Sequence, residues 1–194
     1  MHKPSHGLRW ARALRSARRS LALTIAVFTS LLWTSVTCLA ADIGPRPSPL
    51  CPQAAGMHLL RLVATGPNRQ AVCDITGLQA LPQRDLVTSL PPSLGQAGAH
   101  HWLGVSLRLL AERMGGGPGS VLQLTALNDY AVTVPWSDLV RYDPIVAYLR
   151  NGMTLSVREK GPMMLIYPFD AHPELHAQQY LNRSIWQIHA ITIK

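Results

Sequence analysis

Thr125-Ala126-Leu127-Asn128-Asp129-Tyr130-Ala131-Val132-Thr133-Val134-Pro135 is the stretch from which the fold reads outward. Two runs of strand composition meet there around an Asn-Asp pair, residue types that accept left-handed backbone angles and close tight turns. The spacing predicts strands over 121–126 and 130–134 joined by a polar tip. Tyr130 adds an apolar body and a hydroxyl beside it, so Asn128, Asp129 and Tyr130 are candidates for ligand contact as well as for a structural turn.

Upstream, 58–64 and 71–76 have strand composition and are joined by Thr65-Gly66-Pro67-Asn68, while 85–90 is a further short strand. Ser106 is placed to cap a helix through Met114 that Gly115-Gly116-Gly117-Pro118 halts, with Leu107, Leu110 and Met114 on its core face. Downstream, Ser137 is an expected cap for a single turn. Arg150-Asn151-Gly152 between apolar runs 145–149 and 153–157 is a strong hairpin signal. A buried strand over 163–167, a short helix from Pro173 to about Tyr180 and a closing strand over 185–193 complete the chain. Many short strands with a few short helices predict an α+β domain built on a β-rich mixed sheet.

Residues 1–41 read as an export leader. Lys3, Arg9, Arg12, Arg15, Arg18 and Arg19 precede an apolar run over 21–33, and Cys38-Leu39-Ala40 supplies small residues for cleavage. A retained membrane anchor is the alternative reading of that run. Arg18-Arg19-Ser20-Leu21 resembles a twin-arginine signal, although Ala17 stands where Ser or Thr is usual and no Lys follows. The expected organisation is a leader at 1–41, a Pro-rich arm at 42–57 and one domain at 58–194, in the periplasm.

The charge follows the leader. The whole chain is +8, but six of its 18 Lys and Arg lie in residues 1–41, leaving 12 against 10 Asp and Glu. No basic cluster remains that would suit nucleic acid. Cys51 and Cys73 are the two cysteines beyond the leader. An even pair in an exported chain reads as a disulfide, with two buried thiols as the alternative.

Four motifs, in order, resemble the molybdopterin-binding domain of the sulfite oxidase family, in particular its short exported bacterial members. They are Trp102-Leu103-Gly104-Val105-Ser106-Leu107, the stretch around Asn128, Gly161-Pro162-Met163-Met164-Leu165-Ile166-Tyr167-Pro168 and Arg183-Ser184-Ile185-Trp186-Gln187-Ile188. The resemblance covers roughly Leu59 to Ile193 and implies that family's fold, with molybdopterin as the cofactor. It also implies a cysteine thiolate on the metal, carried shortly before the Trp-x-Gly motif. Here that segment is Asp85-Leu86-Val87-Thr88-Ser89-Leu90-Pro91-Pro92, without cysteine. Met164 stands about where catalytic members carry Arg, and Ile185 where they carry Lys before the Trp.

Arg158 and Lys160 lie two apart, so on an extended segment both side chains would project to one side and grip phosphate or another anion. His100, His101 and Arg183 complete the list of polar candidates. Adjacent histidines lack a sequence-local third ligand, so no metal site is expected from them. Neither a Gly-x-Ser-x-Gly elbow nor a phosphate loop occurs. Two readings follow: a non-catalytic module that binds or senses a small anionic ligand or a periplasmic or membrane protein partner, or a molybdopterin-dependent oxidoreductase with altered metal coordination.

Overall fold

The computed structural model describes residues 50–51, 56–57, 60–65, 69–95 and 98–194. The expected leader at 1–41, most of the expected Pro-rich arm and most of the expected turn at 65–68 lie outside the described residues. The chain divides between Arg46 and Pro47, and the described residues belong to the second unit.

Strands β1 (Leu60–Ala64) and β2 (Gln70–Cys73) pair antiparallel, with Leu60, Leu62, Ala64 and Cys73 turned into the core. The second run ends earlier than its composition suggests. Asp74 accepts hydrogen bonds from Gly77 N at 2.7 Å and Gly56 N at 3.0 Å, so residues expected to extend β2 instead form helix α1 (Ile75–Gln79). A side-chain cap offers the backbone a competitor to the sheet ladder, and here the cap wins.

Strand β3 (Arg84–Ser89) pairs with β4 (Ala99–Ser106), which runs into helix α2 (Leu107–Arg113). Ser106 Oγ accepts from Leu109 N at 3.1 Å, the expected cap, and Leu107, Leu110 and Met114 are buried. The Trp-x-Gly motif has a packing reason. Trp102 is 1% exposed and donates from Nε1 to Thr88 O at 3.2 Å, while a Cβ on Gly104 would lie 2.2 Å from Val146 O, where the register of β4 against the neighbouring strand Ile145–Arg150 shifts.

Strands β5 (Val121–Ala126) and β6 (Ala131–Pro135) form the predicted hairpin, with Asp129 left-handed at φ 64°. Helix α3 (Trp136–Arg141) starts directly after Pro135 without a side-chain cap, so Ser137 lies inside it and does not cap it. Strands β7 (Ile145–Arg150) and β8 (Met153–Thr154) close the Asn151-Gly152 hairpin. β8 is only two residues long, because the chain turns away before Ser156. After β9 (Met164–Ile166), two 3-10 turns, Phe169–Ala171 and Pro173–His176, precede helix α4 (Gln178–Arg183). The helix expected from Pro173 is therefore broken at Ala177, whose backbone is extended. Strand β10 (Ile188–Ile193) ends the fold.

The strands divide between two sheets. One has the order β2-β1-β10-β5-β6, antiparallel throughout except for the parallel β1–β10 pair. The other has the order β3-β4-β7-β8, with β9 also paired to β7. One hydrophobic cluster takes Leu62, Leu122, Leu124 and Ile191 from the first sheet and Trp102, Val146, Tyr148 and Leu165 from the second. At about 25 cal/mol per Å² of apolar surface, this shared burial is the main term holding the fold. The β-rich α+β class read from the sequence is the class observed.

Candidate functional site

The two sheets are joined by the segment leading into β10. Trp186 bridges Met164 in antiparallel fashion, Leu165 N donates to Ile185 O at 2.9 Å, and Ile188 N donates to Met163 O at 3.1 Å. Residues 185–188 thus extend the second sheet before β10 enters the first. Gln187 is the crossing point. Its N–H donates to Lys160 O at 3.1 Å, its carbonyl accepts from Leu127 N at 3.0 Å, and its Nε2 donates to Val157 O at 2.9 Å. One residue therefore ties the 157–160 turn to the β5–β6 turn. Gln187, Lys160 and Asp129, in or next to the segments it joins, all have positive φ, at 56°, 70° and 64°. A left-handed non-glycine residue costs on the order of 1 kcal/mol, and such strain gathers where function constrains the backbone.

The segment carrying Arg158 and Lys160 is not extended as expected. Ser156 Oγ accepts from Glu159 N at 3.3 Å and donates to Glu159 Oε2 at 2.9 Å, which caps a 3-10 turn, Val157–Glu159. Gly161 then passes so close to Leu155 O that an added Cβ would lie 2.1 Å away. The Ser156 hydrogen bonds, with the Arg150 guanidinium beside them, hold the Glu159 carboxyl below its ordinary value.

Two clefts open on either side of this junction. The first, of about 190 Å³, is lined by Arg150, Arg158, Glu159, Lys160 and His100 over Leu90, Leu94, Trp102 and Met164. Three cations face one carboxylate there, and Glu159 is already paired with Arg150 at 3.0 Å. Arg158 is exposed and has no ion-pair partner among the described residues. Lys160 donates to Leu94 O and lies over the Trp186 ring, 4.5 Å from its centroid. The second cleft, of about 410 Å³, is lined by Ser93, Asn128, Tyr130, Gln178, Asn182 and Ser184 with Leu94, Ala126, Leu181, Ile185 and Trp186. Leu94 borders both clefts, and the stacked pair Lys160 and Trp186 stands between them.

The sequence candidates are thus divided. Arg158 and Lys160 come together with His100 in the first cleft, and Asn128 and Tyr130 line the second. Asp129 sits on the exposed turn. His101 lies elsewhere, 3.7 Å from Asp85, because the strand alternation that puts His100 in the cleft sends its neighbour to the opposite face. Arg183 lines neither cleft. Its Nη1 donates to Asp138 Oδ2 at 2.8 Å, an oxygen that also accepts from the Tyr167 hydroxyl at 3.0 Å, and its guanidinium lies 5.4 Å from the Tyr180 ring. Sequence reasoning missed Arg150 and the α4 amides. Arg150 precedes the Asn151-Gly152 turn, and only the folding-back of 156–160 brings it into the first cleft.

The resemblance read from the sequence implies a soft, anionic thiolate on molybdenum. Cys51 and Cys73 are bonded to each other, with 5.4 Å between their Cα atoms, and lie in neither cleft. Among the described residues no three His, Cys, Asp or Glu side chains converge as a metal site. Among the described residues, neither cleft offers a thiolate.

No protein-family model matches the chain, and no curated protein sequence does. Among solved structures the chain is similar to the sulfane dehydrogenase SoxCD from Paracoccus pantotrophus, with a TM-score of 0.56 and 16% identity. The match covers 74% of this chain and 40% of that one, so the chain spans less than half of that protein's length. The likeness shows a shared fold.

Proposed function

We propose that this protein is an exported, non-catalytic binding module that keeps a molybdopterin-oxidoreductase fold and uses the first cleft for a small anionic ligand. The observation that carries the reading is the cleft itself: Arg150, Arg158 and Lys160 face a single, already paired carboxylate, and no thiolate lines it. Such a site attracts anions and offers molybdenum no sulfur. His100 supports the reading further. Asn151 Nδ2 lies 3.1 Å from its Nδ1, while its Nε2 is enclosed without a hydrogen-bond partner. An unmade buried hydrogen bond costs about 1–3 kcal/mol, which a ring swing towards a bound anion would recover. The disulfide and the basic leader support export to the periplasm.

The test is molybdenum analysis and pterin fluorescence after acid oxidation, on mature protein from a host that makes the cofactor, beside titration with inorganic phosphate and sulfate. Metal and pterin far below stoichiometry are expected, with oxyanion binding that Arg158→Ala weakens about tenfold. Export that survives Arg18→Lys with Arg19→Lys is also expected. Stoichiometric molybdenum would overturn the proposal in favour of the oxidoreductase reading, and so would the absence of oxyanion binding.

A further inference from the structure

We infer that the second cleft, beyond the Lys160–Trp186 partition, is a separate site for a neutral saccharide unit. Its volume, about 410 Å³, lies in the range of small-molecule sites, and no Asp, Glu, Lys or Arg lines it. A charged ligand would find no partner there. Beside the hydroxyls of Ser93, Tyr130 and Ser184, the polar lining holds three carboxamides, each with one end anchored and the other without a protein partner among the described residues. Asn128 Oδ1 accepts from Tyr130 N at 3.2 Å, which leaves its Nδ2 to donate. Gln178 Nε2 donates to Asn182 Oδ1 at 2.7 Å, which leaves Gln178 Oε1 to accept and Asn182 Nδ2 to donate.

Fixed donors beside a fixed acceptor suit hydroxyl groups, which do both. The wall is aromatic as well as polar. Trp186 is 37% exposed and Tyr130 52% exposed, and Lys160 over the indole ring holds it in place. Aromatic surface next to amides matches a sugar ring, whose C–H groups form an apolar face and whose hydroxyls ring its edge. Ser184 takes no part, because its hydroxyl donates to Tyr180 O at 2.9 Å.

The test uses the full-length protein, labelled with ¹⁵N and titrated with glucose, galactose, N-acetylglucosamine and cellobiose. Shifts confined to the Trp186 indole N–H and the Asn128, Gln178 and Asn182 side-chain amides are expected with at least one of these sugars. Gln178→Ala and Asn182→Ala, both on a helix without buried residues, should each weaken that binding about five- to tenfold. Inorganic phosphate binding in the first cleft should stay unchanged in both variants. No shift with any of the four sugars would overturn the inference. Binding that neither variant alters would overturn it too, as would the same amides responding to an uncharged tripeptide and to none of the sugars.

Discussion

Lys160 Nζ sits 4.5 Å from the centroid of the Trp186 ring, with Lys160 at φ 70°. A strained backbone thus delivers a cation to the face of an indole on the border of two clefts. The contact has a measurable worth, since such pairs contribute roughly 0.5–1 kcal/mol at exposed sites and more when desolvated. Lys160→Gly relieves the left-handed backbone and removes the cation, whereas Lys160→Ala removes the cation alone. The glycine variant should be the more stable of the two by about 1 kcal/mol in urea unfolding. Both should lose about tenfold or more in affinity for phosphate. Equal stabilities would show that the turn carries no strain.

Arg183 and Asp138 make an ion pair in which Asp138 is 4% exposed and its carboxylate also accepts from Tyr167. Removing one partner of a buried pair strands the other, at about 3–5 kcal/mol. Arg183→Met should therefore unfold at much lower denaturant, while Tyr167→Phe should cost only about 1 kcal/mol. Where Arg183→Met is still folded, its phosphate affinity should match the parent. A selective loss of anion binding would restore Arg183 to the site.

Alkaline pH should destabilise the fold through its tyrosines. Burial, with the Tyr180 hydroxyl 3.2 Å away, pushes Tyr142 up to about 12. Burial raises Tyr148, and burial with Asp138 beside it raises Tyr167 well above the ordinary value. A folded value above the unfolded one means that the unfolded chain loses its protons first. The contribution of Tyr142 is therefore whole below about pH 10 and is lost as pH climbs through about 12, and those of Tyr148 and Tyr167 are likewise lost above their raised values. Phenolate absorbance should show these rings ionising together with unfolding. Their ionisation near pH 10 in a folded chain would contradict this.

Gly104→Ala should be the most damaging one-methyl change in the second sheet. The added carbon would lie 2.2 Å from Val146 O and 2.7 Å from Ala147 Cα, both backbone atoms of the neighbouring strand. Overpacking of this kind costs at least about 1–3 kcal/mol. Thermal unfolding should shift down by several degrees or more, and an unchanged midpoint would mean that β4 and β7 separate freely at the bulge.

Local signals accounted for much of the architecture. The Ser106 cap, the Asn151-Gly152 hairpin, the β5–β6 turn and the buried face of α2 were legible because each depends on a few neighbouring residues and on a hydrophobic period of two or 3.6. Local signals also misled where two of them competed. Asp74 diverted a strand-like run into α1, and Ser156 folded the Arg158–Lys160 segment into a 3-10 turn, so that the two cations share a cleft for a reason other than strand alternation.

By itself the sequence determined the β-rich α+β class, most element positions and the Cys51–Cys73 pairing as one of two readings. Only the tertiary structure decided which polar side chains meet. Arg158, Lys160 and Arg150 converge, Arg183 is taken by Asp138, and His100 rather than His101 lines the cleft. The physical reason is range. Backbone propensity acts over a few residues, whereas the direction of a polar side chain is set by contacts such as those of Gln187 with Lys160 and Leu127, 27 and 60 positions away in the chain.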